Sequence, residues 1–351
     1  MPLSLRWGHV SAVRERLDGL VRLEVDGTPC IAYPRLTGPI EEGDTVVVNT
    51  QARELELGSG GFDVVYANLT RGMGLPAAEG AHVMSLPYTP GQAAFRRAEE
   101  GIKLPEGLGG LPVVCCGLHS QLTAVCAAMR GLRVAYLQLG GGALPVSLSD
   151  TVRILRARRL IEVAIAVAPC FDGDVDCVTV ASALAWAASR EFDVAVCAIG
   201  PGIVGTGTAF GHGGLAVAEA ANATAALGGR AVIAPRVSNR DDRERHRGVS
   251  HHTRSALQLC LGEVQVAWPE DLVGGGWHPS VVPVDTADWQ QACEGLPLSH
   301  MGRGPDDDPW FFAASFAAGR LAARHARSAL ADRLGRTASG PGSPPGTQPA
   351  R

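Results

Sequence analysis

The sequence has almost no lysine. Lys103 is the single lysine among 351 residues, against 30 arginines. Because Lys103 follows Ile102, a Walker A loop, which needs Gly-Lys-Ser/Thr, is excluded. A protein kinase is excluded as well, since no lysine stands in a Val-Ala-Ile-Lys strand. Any anion that this protein binds must therefore be held by arginine, hydroxyl groups or backbone amides.

Several familiar motifs are also missing. The nine cysteines include no C-x-x-C pair, which disfavours a structural zinc site and a thioredoxin-like motif. Cys115, Cys116 and Cys197 lie inside apolar runs, so we expect buried, inert thiols there. Neither G-x-S-x-G nor H-E-x-x-H occurs, which disfavours a serine hydrolase and a zincin.

Long apolar runs are absent too. Charge, proline or glycine breaks each run before the roughly 18 residues that a membrane span needs. The first residues, MPLSLRWGHV, lack the apolar core of a signal peptide. We therefore expect a cytoplasmic protein with no membrane partner. A net charge of −4 disfavours nucleic acid as a partner, although a local basic face keeps it open. A homodimer is a further arrangement that the sequence leaves open.

Residues 1–70 predict a small β-barrel or sandwich. Five short apolar runs alternate with turn signals such as Asp18-Gly19 and Asp26-Gly27. We expect Trp7 and Tyr33 in the core of this module, with a binding face as the alternative. Residues 71–110 are rich in glycine and proline and predict a connector with one helix at 90–100.

Residues 111–334 predict an α/β domain. Six apolar runs alternate with helical stretches, which is typical of a doubly wound, mostly parallel sheet with helices on both faces. An amphipathic helix from about Trp310 to Leu334 ends the domain, and we expect residues 335–351 to be a disordered tail. The runs are LPVVCCGL, LRVAYLQL, IEVAIAVAP, FDVAVCAIG, RAVIAPRVS and EVQVAWPE.

A glycine-rich loop, GPGIVGTGTAFGHGG, follows the fourth run. Bare amides before a helix predict a site for a phosphate or carboxylate. The anion-binding candidates are Gly200, Gly202, Gly205, Thr206, Gly207 and Thr208. The first three glycines match the dinucleotide fingerprint, but about eight further residues precede the helix, so NAD(P) or flavin is the weaker interpretation. Tight turns and close helix packing are the structural alternative.

The loop after the fifth run is rich in arginine and histidine. The segment from Arg236 to Arg254 contains six arginines and three acidic residues. Arg245 and Arg247 are candidates to neutralise an anionic substrate, and His246 and His251 to transfer protons. His252 is a candidate metal ligand. A solvated face of exchanging ion pairs is the structural alternative.

Two other strand ends carry candidates. His119 follows the first run and is a third proton-transfer candidate. Asp174 lies in the stretch CFDGDVDC after the third run, where a carboxylate would orient a histidine or hold a divalent metal with it. Gly140–Gly142 form another glycine-rich turn, interpreted either as an anion-binding nest or as a tight bend. The sequence does not establish whether these loops converge on one site.

The motifs GPGIVGTGTAFGHGGLAVAEAANATAALGG, RERHRGVSHHT, LGGGALP and SHMGRG resemble a bacterial family known as domain of unknown function 3866. The resemblance spans nearly the whole chain, from Arg6 to about Arg320. It implies a family member with an N-terminal β module, and it supplies neither a substrate nor a catalytic residue.

The main hypothesis is therefore an enzyme, a hydrolase or transferase with or without a metal, that binds a small phosphate- or carboxylate-bearing substrate. The first alternative is a non-catalytic protein that binds a nucleotide or RNA through the basic loop. The second alternative is an oxidoreductase that uses NAD(P) or flavin.

Overall fold

The computed structural model describes residues 3–56, 61–76 and 78–338. Its first part is a closed barrel in the strand order β1-β2-β3-β5-β4, as the sequence predicts. Two short helices, α1 (Pro34–Thr37) and α2 (Gln51–Glu54), interrupt it. The barrel strands are β1 (Leu5–Leu17), β2 (Leu20–Val25), β3 (Thr28–Ala32), β4 (Thr45–Asn49) and β5 (Asp63–Asn68).

The strand period of two fills the barrel. Along β1, Gly8 and Val10 point inward and are buried, whereas Trp7 points outward and is 69% exposed. The expectation of Trp7 in the core is therefore wrong, because the alternation that turns Gly8 and Val10 inward turns Trp7 towards solvent. Tyr33, by contrast, is buried as expected.

The connector contains a β-hairpin rather than the predicted helix. Its strands are β6 (Val83–Ser85) and β7 (Ala93–Phe95). Phe95 is buried whereas Ala94 beside it is exposed, so this segment follows the strand period instead of the helical one.

The second part of the chain is built on eight parallel strands. They lie in the order β11-β10-β9-β12-β8-β13-β16-β17. The six predicted apolar runs are all strands, and β11 and β17 at the two edges were not predicted. The sheet strands are β8 (Pro112–Cys116), β9 (Val134–Leu139), β10 (Val163–Val167), β11 (Val175–Cys177), β12 (Val194–Ile199), β13 (Arg230–Ala234), β16 (Val264–Pro269) and β17 (Val281–Val284). A separate small hairpin pairs β14 (Val237–Ser238) with β15 (Gly248–Val249).

Helices cover both faces of the sheet. One apolar core joins α3 (Leu122–Ala127), α4 (Asp150–Ala157) and α9 (Pro309–Ala338) to one face. A second core joins α5 (Val180–Ser189), α6 (Ala216–Ala226) and α7 (His251–Gln258) to the other. The central strands β8, β9 and β12 are buried at every residue, which explains their continuous apolar runs.

The C-terminal elements complete the fold. The short helix α8 (Trp289–Ala292) lies between β17 and α9. Helix α9 continues to Ala338, beyond the predicted end at Leu334, and the rest of the predicted tail lies outside the described residues. No helix within the described ranges combines the length and the apolar composition that a membrane crossing needs.

Candidate functional site

The direction of the strands determines which candidate loops lie together. Because all eight strands are parallel, the loops that follow β8, β9, β12 and β13 leave the sheet at one edge. Strands β12, β8 and β13 are direct neighbours. The glycine-rich loop and the arginine- and histidine-rich loop therefore rise beside each other, at the edge where open α/β sheets bind ligands.

Four imidazoles meet above this edge. His212 comes from the loop after β12, and His246, His251 and His252 come from the loop after β13. The rings of His212 and His252 are stacked with their centroids 3.8 Å apart, and His251 and His252 lie 4.4 Å apart. His246 lies 4.9 Å from His251 and 4.8 Å from His252. We call these four residues the histidine cluster.

Local structure explains how the cluster forms. Ser250 caps α7, because its hydroxyl oxygen accepts a hydrogen bond from the amide of His252 at 3.2 Å. His251 and His252 are therefore the first residues of the helix. The ring of His246 is oriented by a 2.7 Å hydrogen bond between its Nδ1 and the Ser250 hydroxyl. One serine thus positions three of the four imidazoles.

Two nitrogen atoms of the cluster are buried without a partner among the described residues. His212 donates from Nε2 to the carbonyl of Ala209 at 3.1 Å, so in the neutral ring the Nδ1 carries a lone pair, and that atom is unpartnered. Nε2 of His251 is the second such atom. The Nδ1 of His252 accepts a long hydrogen bond of 3.4 Å from Arg236.

A buried ion pair lies beside the cluster. Arg236 is 3% exposed and donates to the carboxylate of Asp241 at 2.9 Å, and Arg243 donates to both oxygens of the same carboxylate. Burial alone would raise the pKa of Asp241, but the hydrogen bonds and charges of Arg243 and Arg236 outweigh it and hold the pKa well below its usual range. Asp241 is therefore ionised and fully committed to arginine.

The imidazoles of the cluster are neutral at pH 7. Burial lowers the pKa of His246 to about 3, and the charges of Arg236 and Arg243 add to the effect. Burial, with the neighbouring His212 and Arg236, lowers the pKa of His252 to about 2. The pKa values of His212 and His251 are lowered by burial as well. Each neutral ring has one lone pair, which can accept a proton or bind a metal where no other donor occupies it.

Arg245 and Arg247 have different surroundings. Arg245 is exposed and pairs with no described residue, and its Nη2 lies 3.9 Å from the position that a Cβ of Gly207 would occupy. Arg247 is exposed too, but it donates from Nε to the backbone carbonyl of Asp241 at 3.0 Å. Arg245 is therefore a cation available to a ligand beside the glycine-rich loop, whereas Arg247 holds its own loop.

The glycine-rich loop forms a hairpin-like flap. Gly205 and His212 form an antiparallel β-bridge, and the backbone amide of Thr206 donates to the carbonyl of Gly211 at 2.8 Å. The hydroxyls of Thr206 and Thr208 are hydrogen-bonded to each other at 3.0 Å. These hydroxyls therefore stabilise the flap from within.

Several of the glycines are required by packing. A Cβ at Gly200 would collide with the carbonyl of Ala143, and one at Gly213 with the carbonyl of Gly141. The loops after β9 and β12 thus lie backbone against backbone. Gly202 and Gly207 have positive φ angles of 72° and 82°, which glycine adopts readily. Helix α6 begins only at Ala216, so the flap separates the fingerprint glycines from the helix.

Comparison with known proteins identifies the family. The sequence model of a family described as a protein of unknown function, DUF3866, matches residues 29–319. The chain belongs to the DUF3866 family. The predicted resemblance is thereby confirmed, and the match includes both loops of the histidine cluster. None of the curated proteins compared with the chain matches it.

The structure of this DUF3866 protein separates Asp174 from the cluster. The chain reverses after β10, so Asp174 precedes β11 and lies at the amino edge of the sheet. There its carboxylate accepts from the amide of Ala164 at 2.7 Å and pairs with Arg156 at 2.8 Å. The interpretation that Asp174 orients a cluster histidine or shares a metal with His252 does not hold, because the two lie at opposite edges.

His119 lies at the carboxyl edge but does not join the cluster. Its Nδ1 donates to the carbonyl of Ile199 at 3.2 Å, and its Nε2 is hydrogen-bonded to Ser149 at 2.7 Å. Both ring nitrogens are therefore satisfied by the fold. This arrangement supports a role in joining β12 to α4, and proton transfer by His119 stays a prediction.

Sequence reasoning missed His212, Arg236 and Asp241 as site residues. His212 stands in the glycine-rich motif itself, where one histidine among many glycines gives no sequence signal of its own. His300 and Arg303 belong to SHMGRG, one of the family motifs, and Arg303 approaches Asp241 at 3.6 Å. That motif was the available signal.

Proposed function

We propose that this DUF3866 protein is an enzyme that acts on a small anionic substrate, bearing a phosphate or carboxylate, at the carboxyl edge of its sheet. The observation that carries the proposal is the convergence of four neutral imidazoles with Arg245, which pairs with no residue in the described part of the chain and whose charge acts on His251. Two loops from adjacent regions of the sheet bring these groups together. In open α/β folds, a cluster of polar groups at this edge of the sheet usually binds a ligand.

Charge supports an anion rather than a cation as the substrate. Arg236 and Arg243 share the single carboxylate of Asp241, and Arg245 has no acidic partner among the described residues. The site thus carries more positive than negative charge. A phosphate or carboxylate entering between the flap and the second loop would restore the balance through bidentate hydrogen bonds to arginine.

His246 is the proton-transfer residue in this proposal. Its ring is fixed through Nδ1 by Ser250, and its Nε2 has no hydrogen-bond partner in the described part of the chain. A fixed imidazole with one unpartnered nitrogen has the geometry of a general acid–base residue, and a bound anion would raise its pKa from about 3 towards the neutral range that such catalysis favours.

The proposal predicts a specific loss of ligand binding in Arg245→Gln. We expect one class of ligand, in a thermal-shift panel of phosphate, nucleotides, NAD(P) and organic acids, to raise the melting temperature. At 100 times its Kd a ligand adds about 2.7 kcal/mol of stability, which raises the melting temperature of a chain this large by a few degrees. Arg245→Gln should weaken that ligand about tenfold or more, because it removes the unpaired guanidinium.

Arg240→Gln is the matched control. Arg240 is an exposed arginine of the same loop, so both variants lose one positive charge. His246→Gln should bind the ligand but lose turnover. Equal losses in Arg245→Gln and Arg240→Gln, or no shift with any anion, would contradict the proposal. A shift with NAD(P) alone would favour an oxidoreductase instead.

A further inference from the structure

We propose that His212, His251 and His252 form a binding site for a divalent transition metal of the zinc type. The inference rests on the proposed function, since it assigns a cofactor to the same site. One ligand atom from each of the three imidazoles lies within 4.8 Å of the others. A tetrahedral zinc site with bonds of 2.0–2.1 Å would place them roughly 3.4 Å apart. Because the rings of His212 and His252 are stacked with 18° between their planes, one of the two would have to rotate about its side-chain torsions, with smaller movements of the others, to close the site.

The unpartnered nitrogens point to a ligand. Nδ1 of His212 and Nε2 of His251 are both buried and lack a hydrogen-bond partner among the described residues. A buried polar atom without a partner destabilises a fold by about 1–3 kcal/mol. A metal ion would accept both lone pairs and connect the flap to helix α7.

The surroundings of His212 match those of a metal ligand. Its Nε2 donates to the carbonyl of Ala209 at 3.1 Å, which fixes the tautomer and leaves Nδ1 free to coordinate. Metal-bound histidines almost always donate their second nitrogen to a carbonyl or carboxylate in this way.

His252 has a competing interaction that the metal would replace. Arg236 reaches its Nδ1 across 3.4 Å, which is long for a hydrogen bond, and keeps a shorter bond of 2.9 Å to Asp241. Coordination through Nδ1 would therefore cost the weaker of the two interactions and leave the ion pair of Arg236 intact.

The type of metal follows from the donors. The three groups are all imidazoles, which suit zinc, cobalt and nickel, whereas magnesium and calcium take oxygen ligands. Three protein ligands leave at least one position open, as in catalytic rather than structural zinc sites. Beside Arg236 and Arg245, that position would favour an anion, either hydroxide or an oxygen of the substrate. The charge of this anion would offset the positive charge that the metal adds beside the arginines, so the metal and the anionic substrate would occupy one site together.

The test is metal binding to the purified, untagged full-length chain, because an oligohistidine tag binds the same ions. After treatment with a chelator, zinc is titrated calorimetrically and cobalt is followed by the visible absorption of its tetrahedral complexes. We expect stoichiometric binding of zinc and cobalt and none of magnesium. His212→Ala and His251→Ala should each weaken zinc binding about tenfold or more. His82→Ala, which removes an exposed histidine of the connector, should not change it.

The outcomes separate this inference from the proposed function. Absence of stoichiometric zinc in the wild-type chain overturns the metal site, whatever the variants do. Zinc affinity unchanged in the doubly substituted His212→Ala/His251→Ala chain, with circular dichroism showing it folded, overturns it as well. An anion-induced thermal shift that persists in metal-free protein supports the proposed function alone. Zinc binding without any response to anions supports the metal site alone.

Discussion

At the scale of the residue, burial keeps histidines neutral outside the cluster too. His300 is 2% exposed, stacks on Phe311 with ring centroids 3.8 Å apart, and is hydrogen-bonded through Nδ1 to Ser120 at 3.1 Å. Burial lowers its pKa to about 3, and the charges of Arg236 and Arg303 contribute. Burial also lowers the pKa of His119 to about 4, against the opposite effect of the Ile199 carbonyl. Both residues are neutral in the folded protein at pH 7.

This difference from the unfolded chain predicts an acid-sensitive fold. An unfolded histidine titrates near pH 6.5. Between about pH 6.5 and pH 3 the unfolded chain therefore binds a proton that folded His300 does not, so stability falls as the pH decreases through this window. Each such histidine contributes a slope of up to about 1.4 kcal/mol per pH unit. His300→Phe keeps an aromatic ring against Phe311 and should flatten the slope by about that amount.

Urea denaturation at a series of pH values between 4 and 7 measures this slope. His82→Gln is the control, because the side chain of His82 is 73% exposed, and the slope should stay that of the wild type. A slope in His300→Phe as steep as in the wild type would show that His300 takes up its proton in the folded state as well.

At the scale of the element, close backbone packing explains much of the glycine-rich sequence. The loops after β9 and β12 touch at Gly141 and Gly213, where neither position has room for a side chain. The flap that carries His212 therefore rests directly on the neighbouring loop. Glycine at these positions sets the placement of the histidine cluster through packing.

Gly213→Ala should consequently destabilise the protein. The added Cβ would meet the carbonyl of Gly141, and a backbone cannot move aside as a flexible side chain can. We expect a loss of about 1–3 kcal/mol in the free energy of unfolding. In Gly276→Ala the new methyl group meets open space, so the change should stay within about 0.5 kcal/mol. Equal stability of the two variants would show that the loops after β9 and β12 are not tightly packed.

Some strands and helices could be predicted from the sequence and others could not. The six long apolar strands could be predicted because burial on both faces of a parallel sheet leaves a continuous run. The outermost strands, β11 and β17, could not be predicted, because β11 has only three residues and β17 contains Pro283. The helix predicted at 90–100 was wrong, because a short strand and a short helical turn leave nearly the same composition.

The candidate site was predictable only where its residues are close in sequence. His246, His251 and His252 fall in one loop, so their proximity was visible. His212 joins them through the adjacency of β12, β8 and β13, which depends on strand order. Asp174 was misplaced because no pattern revealed that the chain turns back after β10 and begins β11 from the other edge.

At the scale of the whole molecule, aromatic side chains link the barrel to the sheet. Phe171, which is 6% exposed, lies 6.0 Å from the ring of Tyr33 in the barrel and 6.0 Å from that of Phe95 in the connector. Arg22 of β2 also donates to both carboxylate oxygens of Asp150 at the start of α4. The apolar contact is buried, whereas the ion pair is exposed.

Phe171→Ala should therefore weaken the link between the two parts. Truncation of a buried phenylalanine costs about 3–5 kcal/mol. We expect a lower melting temperature and faster proteolysis within the connector. Arg22→Ala should cost at most about 1 kcal/mol, since exposed ion pairs contribute little. A Phe171→Ala protein with the stability and protease resistance of Arg22→Ala would show that the barrel is held elsewhere.

The two edge strands have a consequence for the behaviour of the molecule in concentrated solution. On one side, the connector covers β11, where the amide of Ala98 donates to the carbonyl of Asp176 at 2.9 Å. On the other side, Pro283 removes an amide donor from β17. An open sheet edge is a template on which another chain can add a strand and start aggregation. Both sides of this sheet of eight strands therefore end in a form that disfavours the addition of a strand from another chain.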